Sequence, residues 1–180
     1  MDRYLQLASS SAFFVFCVVG IAVGVQALTR PTSPVRPAER PIPPPRPIYQ
    51  AGEALSLPGI DLSSAERTLV LVTRKGCKFC DESMPFYRAL SADHALRSRT
   101  RIVMVSPDPE PITRAELAAH EITVDQVLQM SLRQVKVSGT PTAIIATRSG
   151  MIEEVLIGRL DEPRQKALVE RLTNVVEARR

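Results

Sequence analysis

The sequence predicts an α/β domain over residues 54–180, with a central mixed β-sheet flanked by helices, preceded by one N-terminal transmembrane helix. Three observations carry that expectation. Short continuous apolar runs, Thr68–Val72 and Arg101–Val105 among them, have the length and β-branched content of buried strands. Amphipathic stretches alternate with them, in the order β-α-β, then helices, then β-β-α. No charged residue occurs between Tyr4 and Thr29, and Ala12 to Leu28 is almost wholly apolar.

Residues 1–29 are read as a membrane anchor or signal peptide. The apolar run is near the lower length limit for a bilayer-spanning helix and long for the core of a signal peptide, which favours a retained anchor over cleavage after Ala27. Cys17 within it is an apolar residue of that segment. Residues 30–53 form the linker. Its stretch 31–47 holds eight prolines interleaved with charges, a density that favours extended polyproline II and a stiff spacer of roughly 50 Å. Arg3 precedes the span, whereas Arg30, Arg36, Arg40 and Arg46 follow it. Charge bias alone would therefore hold the domain in the cytoplasm. Disulfide chemistry is mostly exported chemistry, and the expected location is the periplasmic side of an inner membrane, or the soluble periplasm after cleavage.

Within the domain, Cys77 opens a helix reaching about Leu96, and Arg101–Val105 is the next strand. Two helical stretches follow, Thr113 to His120 with Glu116 completing a capping box, and Thr123 to about Leu132. Thr142–Thr147 and Met151–Ile157 flank Arg148-Ser149-Gly150, a hairpin turn. A last helix from Glu162 to about Ala178 places Leu168, Leu172, Val175 and Val176 on one face.

Composition narrows the function. Aromatic residues make up 4% of the chain and Trp is absent, so the core is aliphatic. The net charge of +4 is spread along the chain with no nucleic-acid recognition motif, and no nucleic-acid partner is expected. Three cysteines are too few for a disulfide-stapled fold. A structural zinc site needs four ligands, and His94 and His120 follow no such spacing.

Cys77 and Cys80 form a C-x-x-C where a buried strand hands over to a helix. A helix start offers unpaired N–H groups and partial positive charge to a thiolate, and Arg74, Lys75 and Lys78 add cations nearby. The first cysteine is then the accessible nucleophile and the second, one turn on, the resolving thiol. Phe79 between them is an exposed or partner-facing apolar residue; Met84, Tyr87 and Leu90 are core. Pro85 falls inside the expected helix, where it kinks the chain. Gly139-Thr140-Pro141-Thr142 precedes a strand, and X-Pro is the bond that becomes cis at low cost.

In these features, C-K-F-C, M-P at the kink, V-S-G-T-P-T before the hairpin and a final amphipathic helix, the chain resembles the thioredoxin fold over about residues 54–178. The helical insertion between Ser106 and Val137 looks like the TlpA-like and redoxin branch of membrane-anchored thiol–disulfide oxidoreductases. That resemblance implies Cys77 as attacking and Cys80 as resolving thiol, with no cofactor beyond their redox-active disulfide. It implies a cis-Pro141 loop facing them, the Thr140 backbone pairing with substrate, and Lys78 and Phe79 in the substrate surface. It further implies protein thiol or disulfide substrates, an upstream thiol electron donor and a role as dedicated reductant. Thr73-Arg74-Lys75-Gly76 replaces the family's Trp-containing segment, and Leu71 stands where thioredoxins keep a buried acid. The family's usual glutamate after the dithiol falls at Ser83, beside Glu82. The alternative from a different class is a copper- or zinc-binding or assembly module using the same two thiolates.

Overall fold

The computed structural model describes residues 48–173. The expected anchor, residues 30–47 of the expected linker, and Val175 and Val176, expected on one face of the last helix, lie outside the described residues. Among those described, no helix is long and apolar enough to cross a membrane.

β1 (Arg67–Val72) pairs in parallel with β2 (Thr100–Ser106) and antiparallel with β4 (Thr142–Thr147). β3 (Gln126–Gln129) adds in parallel beyond β2, and β5 (Ile152–Ile157) antiparallel beyond β4, giving the order β3-β2-β1-β4-β5. β1 is buried along its whole length because it lies mid-sheet with both faces covered, which is why its sequence is continuously apolar. Alternation divides its side chains. Leu69 and Leu71 join the core that holds the dithiol, while Val70 and Val72 join the core on the opposite face with Val103, Val105 and Ile144. The hairpin between β4 and β5 turns at Arg148-Ser149-Gly150 as expected, with Gly150 at positive φ and its N–H donating to Thr147 O at 2.9 Å.

Three expectations are corrected. The single helix from Cys77 to Leu96 is three short ones: α1 (Lys78–Asp81), α2 (Met84–Ala92) and α3 (His94–Arg97). Pro85 has no N–H for Asp81 O, and it takes the early position of a new helix instead. Ser83 bridges the break, its hydroxyl donating to Phe79 O at 2.7 Å. Asp93 caps α3 by accepting from Leu96 N–H, which breaks the run a second time. The helix expected at Thr113–His120 starts earlier, at Glu110, behind Pro109, and is α4 (Glu110–Ala119); Thr113 is buried inside it rather than capping it.

The third correction is the larger. Thr123 to Leu132 is not a helix: its centre is the edge strand β3, with Val127 buried between the less buried Gln126 and Leu128. The insertion between Ser106 and Val137 thus contributes one helix and one strand. β2 offers a free row of backbone groups there, and tertiary pairing overrides a weak local helical pattern.

Asp125 fixes this edge. Its carboxylate accepts from both terminal nitrogens of Arg97 at 2.6 and 2.7 Å and from Ile102 N–H at 2.7 Å. Partial burial alone would push its pKa up; the bonds from Arg97 and Ile102 and the Arg97 and Arg101 charges outweigh that and hold it below the usual carboxylate value. A depressed folded-state pKa stabilises above the unfolded value, and that contribution is lost as pH falls through the folded one. Acid unfolding monitored between about pH 5 and 2 will accordingly show a smaller loss of stability in Asp125→Asn than in the wild type. An identical acid slope in the two would contradict this role.

Packing begins upstream of residue 54. Tyr49 is buried, its hydroxyl donates to Ser56 O at 3.0 Å and accepts from Ser56 N–H at 3.1 Å. Its own N–H donates to Lys136 O at 3.1 Å, and the Lys136 ammonium lies 5.1 Å from its ring centroid. Among the described residues, α5 (Glu162–Thr173) completes the dithiol-side layer through Leu168 and Leu172.

Candidate active site

The site lies at the C-terminal ends of β1 and β2, where the chain turns from sheet to helix. Thr73 N–H still donates to Val105 O at 3.0 Å, and then Arg74-Lys75-Gly76 leave the sheet. Gly76 has φ +70°, and a Cβ added there would meet nothing within 4 Å. The left-handed backbone, rather than lack of space, makes this position a glycine. Gly76→Ala will therefore cost about 1 kcal/mol of stability, read as a lower urea midpoint; an unchanged midpoint would contradict it.

Cys77 is the N-cap of α1, in extended conformation, and its sulfur accepts from Cys80 N–H at 3.3 Å. A sulfur so placed is stabilised as an anion by a backbone donor aimed at it. Cys77 and Cys80 are joined as a disulfide, with Cα atoms 5.2 Å apart. Their environments differ in the sense that assigns roles: Cys77 retains 7% exposure and Cys80 none. The structure brings Thr140 to them as well. Its hydroxyl lies 3.5 Å from Cys77 Sγ, as does its carbonyl oxygen. The Thr140–Pro141 peptide bond is cis. Lys78 and Phe79 both project outward, Phe79 with 56% exposure.

Several residues around the dithiol carried no sequence signal that picked them out. Asp108 accepts from Lys75 N–H at 2.6 Å and from Ser106 Oγ at 3.0 Å, pinning the loop that leads into Cys77. It hides in a Ser-Pro-Asp-Pro run that reads only as a strand terminator. Gly158 N–H donates to Pro141 O at 2.8 Å, so the segment after β5 braces the proline loop. Next to it Arg159 pairs with Glu82 at 3.3 Å, and Glu82 lies 3.9 Å from Lys78. These exposed pairs are weak individually, but they tie the loop after β5 to the dithiol helix.

The charge balance differs from the linear reading. Arg74, Lys75 and Lys78 are present, yet Asp81, Glu82, Asp108 and Glu116 stand among them. Burial pushes the Glu116 carboxyl up, the negative charges of Asp81 and Asp108 push it further, and His120 and Lys75 oppose. The site is mixed in sign rather than cationic. Behind it Tyr87, pushed up to about 12 mainly by burial, stays a neutral phenol, and Leu71 packs fully buried in the same core as both cysteines. Among the described residues no group of three or more His, Cys, Asp or Glu is placed to hold a metal ion.

The geometry supplies a nucleophile at a capped helix start, a resolving sulfur one turn on and a proline loop across from them. No protein-family model matches the chain, and no curated protein matches it in sequence. Solved structures do. One is described as a thiol:disulfide interchange protein DsbE from Chlorobium tepidum, with TM-score 0.57 and 18% identity over 69% of this chain and 96% of that one. Another is the thioredoxin domain of a thiol-disulfide oxidoreductase from Bacteroides vulgatus, with TM-score 0.55 and 19% identity over 70% and 99%. A third is a thiol-disulfide isomerase from Corynebacterium glutamicum, with TM-score 0.52 and 16% identity over 73% and 97%. At these identities the likeness is one of fold: the described domain has the thioredoxin-like fold of its structural neighbours.

Proposed function

We propose that the chain is a membrane-tethered thiol:disulfide oxidoreductase that acts on protein substrates through Cys77 and Cys80, as a dedicated reductant. The observation that supports this most is the asymmetry of the pair: a slightly accessible, N–H-capped Cys77 in front of a fully buried Cys80.

In the reduced protein the Cys77 thiolate attacks one sulfur of a substrate disulfide. A mixed disulfide forms, and the departing substrate thiolate takes up a proton. Cys80, having given up its proton, then attacks Cys77 Sγ and releases the second substrate thiolate. The substrate gains two electrons, and the Cys77–Cys80 disulfide remains, to be reduced again by an upstream dithiol donor. Thr140 lines the approach to Cys77. Its carbonyl can accept from the Cys77 thiol, and its hydroxyl can donate to the thiolate. The exposed Phe79 and Lys78 belong to the surface a substrate meets.

Anchoring and a periplasmic domain rest on the apolar run 12–28 and on the compartment in which disulfide exchange operates. A copper or zinc role for the same thiolates would need further ligands from a partner, since none joins them among the described residues.

The test is a Cys80→Ser variant, which can attack but not resolve. Incubated with a disulfide-bonded protein substrate, it should accumulate a reducible mixed disulfide through Cys77, absent in Cys77→Ser. Equal adduct formation in both variants, or in neither, would refute the assignment.

A further inference from the structure

Between the two cysteines lies a peptide group that is engaged on both sides. The bond from Phe79 to Cys80 is trans, so its C=O and N–H point in opposite directions within one plane. On one side Cys80 N–H donates to Cys77 Sγ at 3.3 Å, sharing itself with Cys77 O at 2.8 Å. On the other side Phe79 O accepts from the Ser83 hydroxyl at 2.7 Å.

That hydroxyl takes over a carbonyl the backbone leaves open. In a continuing helix Phe79 O would receive the N–H four residues on, but Ser83 N–H donates to Cys80 O at 2.9 Å instead. The chain has turned there into α2, whose Phe86 and Tyr87 N–H groups donate to Ser83 O, both at 3.1 Å. A hydroxyl on Cβ has the reach to bond four residues back. Ser83 is 4% exposed, so water competes little for this bond. Ser91 and Ser98 make similar backward bonds, to Arg88 O and Ala95 O, at exposed sites.

A donor on a carbonyl polarises its amide and makes the N–H on the far side a stronger donor. Here that N–H is aimed at the sulfur that becomes negative when the disulfide opens. A charged sulfur draws the shared N–H more strongly than the neutral Cys77 carbonyl does.

We propose that Ser83 is a positioning residue for the nucleophile. Its hydroxyl, acting through the Phe79–Cys80 peptide group, holds and polarises the N–H that stabilises the Cys77 thiolate. This rests on the reading of Cys77 as the attacking sulfur, and adds to it a residue that sets how readily that sulfur ionises.

In the full-length reduced protein, the pH dependence of iodoacetamide alkylation at Cys77, read by mass on the peptide carrying it, gives the thiol pKa. Ser83→Ala should raise that pKa by about 0.5, which well below the pKa is about threefold less thiolate. The Cys80 amide proton, followed by NMR with Cys77 ionised, should move upfield in the same variant. Ser83→Thr keeps the hydroxyl and should restore both readings. Leu90→Ala, a truncation in the same buried cluster as the dithiol, should lower Tm and move neither. Arg74, Lys75, Lys78, Asp81, Glu82 and Asp108 are the same in every variant, so their influence on the thiol cancels in the comparison.

An unmoved pKa in Ser83→Ala, or a rise that Ser83→Thr does not reverse, would overturn the proposal. So would an equal rise in Leu90→Ala, because disturbed packing alone would then account for it. Failure of the oxidoreductase reading would look different. Wild-type Cys77 would not exchange with a small aromatic disulfide at all, while the comparison of Ser83→Ala with the wild type would still decide the role of the hydroxyl.

Discussion

Cys77→Ser is expected to lower the rate of disulfide exchange on the order of a thousandfold or more, with the folded domain otherwise intact. The separation of the two effects follows from the geometry. The sulfur has two tasks, as nucleophile and as the group that caps α1 by accepting from Cys80 N–H. Serine keeps the second task, since its oxygen is a preferred N-cap acceptor. It fails the first because a hydroxyl is not ionised near neutral pH as a capped thiol can be. Exchange with a model disulfide, measured beside thermal unfolding of the reduced wild type and the variant, reads both at once. Substantial exchange left in the variant would mean that Cys80, despite its complete burial, reaches substrate directly.

Leu71→Ala is expected to have the largest effect on stability among single truncations near the site. Leu71 is fully buried mid-sheet and packs in the same cluster as Cys77, Cys80, Met84 and Ile145. Removing its isobutyl group sacrifices transfer free energy and leaves a cavity on the dithiol-side face of the sheet, and because β1 is paired on both sides its backbone cannot move in to fill it. The expected cost is about 2–5 kcal/mol, a fall in Tm on the order of 10 °C for a domain of this size. Chemical denaturation of the oxidised protein would give the number, and a loss under about 1 kcal/mol would contradict the packing. The residue also bears on chemistry. An apolar side chain at this place leaves no acid from β1 in the cluster that holds Cys80.

How much of this could be read from the sequence depended on whether a residue's role is local. The strands β1, β2 and β4 are legible because burial on two faces demands a continuous apolar run, and the half-buried edge strand β5 because the hairpin leading into it is marked by Gly150, which tolerates positive φ. The dithiol, its helix start and Thr140-Pro141 carry their own spacing. β3 was not legible. Its four residues become a strand only because β2 has an open edge, a fact with no trace in residues 123–132. The break after Asp81 was half legible: Pro85 announced a kink, but the separate helices also depend on the Ser83 hydroxyl bonding back to Phe79 O and on the cap that Asp93 places on α3. Asp108, Arg159 and Glu116 were invisible as neighbours of the site, because each meets residues flanking the dithiol, such as Lys75 and Glu82, from a loop or helix distant in sequence. They also changed the electrostatics. The cations near Cys77 looked dominant when read linearly, and the fold surrounds them with carboxylates.

A two-thiol exchange in which Cys77 attacks and Cys80 resolves is read out by mass analysis after acid quenching of the fully reduced, full-length protein mixed with one equivalent of a peptide disulfide. The expected product is a protein lighter by two hydrogens, with Cys77 and Cys80 joined to each other and the peptide released as free thiols. A lasting peptide adduct on either cysteine, or a reduced pair left untouched beside an intact peptide, would contradict it.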